Sequence, residues 1–133
     1  MHRMSKYLFI FTLVVIFGFL CEKTDSEPCK DFMMITAVQV DAAPTVASGI
    51  GFKADIVGAN LCYSFERFAI TAQPGNIFNI EARGNVPCGN QVCAQAIYYA
   101  SPTGRITELS AGTYTLRFFN KSGLFQSVNV TVN

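Results

Sequence analysis

The sequence has one histidine, no tryptophan and few charges; charged residues make up 14 %. The histidine is His2, inside what reads as an export signal, so the domain behind it lacks an imidazole. Ser–His–Asp and Cys–His nucleophile activation both need that ring. Zinc enzymes usually use it as a ligand, and it is the side chain that changes charge near neutrality. No catalytic residue, metal site or cofactor is therefore expected. Ten basic against nine acidic residues give no clustered Lys/Arg surface of the kind nucleic acid requires. The acidic residues stand singly along the chain. They read as solvated strand faces, not as the paired carboxylates of a glycosidase. Residues 48–51 (SGIG) are too short for a dinucleotide fingerprint and read as a turn.

A membrane-spanning run is also missing. Residues 7–20 (YLFIFTLVVIFGFL) are apolar but fall short of the roughly 20 residues that cross a hydrocarbon core. His2, Arg3 and Lys6 precede them, and the chain turns polar at residues 21–28. A basic start followed by a short apolar run is an export signal. The reading is a signal peptide over 1–20, a polar tether over 21–31 and a β-sandwich over 32–133. Cys21 stands where a bacterial lipoprotein carries its lipidated cysteine, although Leu20 occupies the place usually held by a small residue. Cleavage elsewhere, leaving an unlipidated secreted domain, is the competing outcome.

What is present is a series of short alternating segments. Strands are expected over 33–40, 52–57, 61–70, 77–83, 92–100, 114–118 and 124–132, rich in β-branched and aromatic residues. Phe78, Ile80 and Ala82 should face inward, as should Tyr114, Leu116 and Phe118, and Val128, Val130 and Val132. Turn signals lie at 41–51, 73–76 (QPGN), 84–91, 101–104 (SPTG) and 120–123 (NKSG). No segment keeps a 3.6-residue period. The expectation is an all-β fold, a single antiparallel β-sandwich of about seven short strands.

Behind Cys21 stand Cys29, Cys62, Cys88 and Cys93, an even set that favours disulfides in an exported domain. Cys62 and Cys93 both fall in expected strands. A Cys62–Cys93 bridge is expected, with Cys29–Cys88 as its companion. Cys88–Cys93 across a tight loop is the rival. The C-x₄-C spacing without a partner pair argues against a thiolate metal site. Asn120-Lys-Ser and Asn129-Val-Thr have the form of glycosylation sequons.

Two stretches carry a resemblance. Residues 109–120 (LSAGTYTLRFFN) have an L-x-x-G-x-Y-x-L pattern that resembles the final hairpin of immunoglobulin-like and transthyretin-like modules. There the glycine ends a loop and the tyrosine packs at the sandwich corner. With Cys21, residues 60–65 (NLCYSF) and 92–98 (VCAQAIY) resemble small uncharacterised lipoproteins of Bacteroidetes-type bacteria. The resemblance implies a fold and a compartment and brings no catalytic residue.

The expected function is a non-enzymatic exported module of the cell envelope, with a protein or glycan partner. Its contact with membrane would be through the N-terminal lipid anchor only. The alternative is a secreted inhibitor of a protease or other hydrolase, presenting the 84–91 loop made rigid by Pro87 and Cys88. A carboxylate hydrolase or a carrier of an apolar ligand would need a cleft with two close acids or a large apolar cavity.

Overall fold

The computed structural model describes residues 28–133. The signal, Cys21 and residues 21–27 of the tether lie outside the described residues. The strands are β1 (Cys29–Phe32), β2 (Met34–Val40), β3 (Ile50–Gly58), β4 (Ser64–Gln73), β5 (Ile77–Val86), β6 (Tyr98–Ala100), β7 (Thr103–Ile106), β8 (Gly112–Asn120) and β9 (Gly123–Val132). They form two packed sheets, a β-sandwich. Among the described residues no helix is long and apolar enough to cross a membrane.

The first sheet is built on β5. One edge of β5 pairs with β4 along its whole length. The other edge is shared: β8 runs parallel to Ile77–Glu81, and β1 runs antiparallel to Arg83–Val86. A parallel neighbour needs a crossover, and β6 and β7 in the other sheet lie on it. All other pairings are antiparallel, and β9 closes a hairpin on β8. Residues 29–31, expected as tether, are therefore part of a strand. Where β8 stops, β5 has free backbone groups, and β1 satisfies them.

The chain then changes sheets at Met33, whose side chain is buried and whose N–H donates to the Ala82 carbonyl (2.8 Å). Across the sandwich the second sheet runs β2–β3–β6, with β7 also on β3. β6 and β7 keep one register along β3, Ala100 opposite Ile56 and Thr103 opposite Lys53. The turn expected at 101–104 is thus an interrupted strand. Pro102 cannot donate, but this strand is an edge, where proline is tolerated. The Pro102 carbonyl still accepts from Ala54 N–H (3.1 Å). Joining β1 to β2 and β6 to β7 reduces nine segments to seven chain runs.

The core lies between the sheets. Ile35, Ile50, Phe52, Ala54 and Ile56 from the second sheet face Ile80, Ala82, Leu116, Phe118 and Val132 from the first, all buried. The inward sets expected on β5, β8 and β9 are the ones found, with Phe78 and Val128 half-buried. Phe52 meets Phe68 and Phe118 edge-on, with ring centroids 4.9 and 5.4 Å apart. Its register partner is Gly104, where a Cβ would come within 2.3 Å of the ring. Only glycine leaves that ring its place. On β4, simple alternation breaks at a bulge between Phe65 and Arg67. Phe65 and Phe68, three apart, consequently pack together at 4.9 Å.

Two polar devices complete the sandwich. Tyr114 is buried and its hydroxyl donates to the Ser110 carbonyl (3.0 Å), the corner contact that the 109–120 pattern implied. Asn120 clips the sheets together. Ile35 N–H donates to Asn120 Oδ1 (2.8 Å), and Asn120 Nδ2 donates to the Ile35 carbonyl (3.1 Å). That amide is engaged, so the first sequon is a structural asparagine. Asn120→Ala is expected to lose about 2 kcal/mol of stability, roughly 1 per hydrogen bond, read as a lower denaturant midpoint with an unchanged slope. A loss below about 0.5 kcal/mol would show that water replaces the clip.

Candidate functional site

Both disulfides sit at one end of the sandwich. Cys29 opens β1 and bonds to Cys88, two residues past the end of β5. Cys62 lies in the turn before β4 and bonds to Cys93, in the loop before β6. Their Cα atoms are 5.8 and 5.5 Å apart, within the normal span. The rival Cys88–Cys93 pairing is not formed. Two disulfides are consistent with an exported protein.

Neither Cys62 nor Cys93 lies in a strand, contrary to expectation. Asn60 turns the chain: its side-chain oxygen accepts from Cys62 N–H (3.0 Å). Leu61 N–H then donates to the Ala94 carbonyl (3.2 Å), so the 92–97 segment is held against this turn and away from the sheet. The expected strand 92–100 forms only at Tyr98–Ala100. The loop itself runs over 87–97, since 84–86 extend β5. Tyr98 ties the loop's exit to the other sheet, its hydroxyl accepting from Phe65 N–H (3.0 Å) at the β4 bulge.

The two loops on this rim are apolar and uncharged. Leu61 is 54 % exposed, Val92 97 % and Ile97 74 %. Leu61 and Val92 each directly precede a cysteine of the same bridge, so the disulfide holds their backbones side by side. Ile97 also lines a cleft of about 360 Å³, with Phe32, Met34, Val57 and Tyr63. The sequence carried a signal for this surface that strand-by-strand reading passes over. No charged residue occurs over 56–65 or over 84–104.

Beside the rim, on the first sheet, is a charged cleft of about 380 Å³ lined by Lys30, Glu66, Arg67 and Arg83 among others. Lys30 pairs with Glu66 (2.5 Å) and Arg83 with Glu81 (2.6 Å). The Arg83 guanidinium also lies 3.7 Å from the centre of the Phe32 ring. Asp31 pairs with Lys121. The Lys30 hydrogen bond holds the Glu66 carboxyl below the usual carboxylate range. Lys121, then the Phe32 N–H, does the same for Asp31. The Ser101 hydroxyl does so for Asp55. Among the described residues no group of three or more His, Cys, Asp or Glu side chains is placed to hold a metal ion.

No curated protein and no solved structure matches the chain. One family model does, over residues 52–132. That stretch runs from Phe52 in β3 to Val132 in β9 and takes in Cys62, Cys88 and Cys93 but not Cys29. It spans both sheets, the Phe52–Phe118 contact and the Tyr114 corner, and it covers more than half of the sequence: the chain belongs to the ORF11 beta-sandwich domain family.

Proposed function

We propose that the protein is an exported, non-enzymatic binding module of a cell envelope, held at a membrane by lipid on Cys21 and recognising a protein or glycan. The observation that carries this reading is the position of the two disulfides. Both lie at the end of the sandwich where the N-terminal segment joins at Pro28. Chain termini and exposed loop tips are preferred sites of nicking, and cross-links beside the entry point restrain both. The leader over 1–20 and Cys21 at its close supply the export and anchoring signals. This compartment and anchor are also what the likeness to Bacteroidetes-type lipoproteins implies.

The test is metabolic labelling with an alkyne fatty acid. Wild-type protein is expected to take up label and Cys21→Ala to take up none. Equal labelling of both, or of neither, would remove the anchor from the reading. The inhibitor alternative draws on the same staples, since Cys88 and Cys93 both restrain the 87–97 loop. Slowed turnover by a hydrolase, abolished by changing that loop, would favour it.

A further inference from the structure

We propose that the stapled rim is the membrane-facing surface of the domain, with Leu61, Val92 and Ile97 seated in the interfacial layer of the bilayer that holds the anchor. The inference rests on the lipid at Cys21. Single exposed apolar side chains are ordinary on a soluble protein. Here three stand on two loops joined by Cys62–Cys93, with no charge over 56–65 or 84–104, and the neighbouring Lys30 and Glu66 are paired with each other. Tyr63 and Tyr99 lie on the same end of the sandwich. Tyrosine is enriched at the headgroup level of membranes, where its ring is buried and its hydroxyl stays wet.

Chain reach decides the occupant. Seven residues, 22–28, separate Cys21 from Cys29, which makes eight Cα–Cα steps. Fully extended they span at most about 29 Å, so an anchored domain keeps its Cys29 end within that distance of the lipid. Cys29 is bonded to Cys88, and Val92 follows four residues later. The end of the sandwich nearest the lipid along the chain therefore carries the apolar loops, beside the paired charges of Lys30 and Glu66. The opposite end, where the Val46 N–H bonds to the Asn133 carbonyl, points away from the membrane.

The absence of tryptophan makes the test direct. Leu61→Trp, Val92→Trp and Val46→Trp each place one indole at an exposed site. The mature protein is purified with its own lipid, confirmed by mass, and reconstituted into phosphatidylethanolamine–phosphatidylglycerol vesicles carrying brominated acyl chains. The expected result is a blue shift and loss of emission for Leu61→Trp and Val92→Trp, with Val46→Trp unchanged. Unquenched rim probes on a lipidated protein would overturn the inference and leave the anchored reading standing. A blue shift without bromine quenching would mean that a second copy covers the rim, which also overturns it. Absence of lipid on Cys21 would overturn both.

Discussion

Phe118→Ala is expected to lower the unfolding free energy by about 4 kcal/mol. Phe118 is fully buried on β8, in the middle of the first sheet's inner face. Its ring meets Phe52 of the second sheet edge-on, and Phe52 in turn meets Phe68 on β4. Truncation removes the transfer energy of the ring. It also leaves a void between two sheets whose strands are fixed by their ladders and collapse poorly into it. The Phe52 ring then loses one of its two aromatic walls and keeps only Phe68. Phe118→Leu keeps most of the volume and is expected to cost about 1.5 kcal/mol or less. Guanidinium titrations followed by near-ultraviolet circular dichroism read both. A loss under about 1 kcal/mol for the alanine variant would show that the aromatic trio is not what joins the sheets.

Removing either disulfide is expected to cost a similar amount. The bridges span sequence separations of 59 and 31. In the chain-entropy account loops of those lengths contribute roughly 4 kcal/mol each by restricting the unfolded chain. The two differ in what else holds their partners. Cys29 lies in a strand paired to β5, so paired Cys29→Ala and Cys88→Ala substitutions lose stability while the β1–β5 ladder remains. Cys62 and Cys93 lie in loops joined by one backbone hydrogen bond, Leu61 to Ala94. Without their bridge residues 89–97 are released beyond the Cys88 staple, and proteolysis there should rise well before global unfolding. Non-reducing peptide maps check the pairing, and limited proteolysis with urea titration checks the rest. Equal nicking of both double variants would contradict this division.

The legible parts of this chain were those whose pattern is local. The alternation of Tyr114, Leu116 and Phe118, and of Val128, Val130 and Val132, needs only the two-residue period of a strand. The two-residue turn at Lys121 and Ser122 needs only residues that suit a tight hairpin. The corner tyrosine reaches back four residues, from Tyr114 to Ser110, so its motif showed it. The cysteine pairs were narrowed by compartment and parity.

The illegible parts depended on a neighbour distant in sequence. Phe65 and Phe68 share a face only because pairing with β5 puts a bulge between Phe65 and Arg67. Pro102 read as a turn residue because sequence does not show whether its missing N–H faces another strand. It lies in an edge strand, so the strand passes through it. Residues 29–31 read as tether because their partner is the part of β5 that β8 leaves uncovered. Residues 92–97 alternate well enough for a strand, yet the Cys62 turn holds them off the sheet.

By itself, then, the sequence determined an all-β domain with a histidine-free interior chemistry, four cysteines to pair and known inward faces. Composition and short-range period are properties of the chain alone. Tertiary structure decided which cysteines meet, that both bridges share one end, and that Leu61, Val92 and Ile97 stand exposed on uncharged loops there. Those residues are up to 36 positions apart, and only the crossing of the two sheets brings their loops to the same rim.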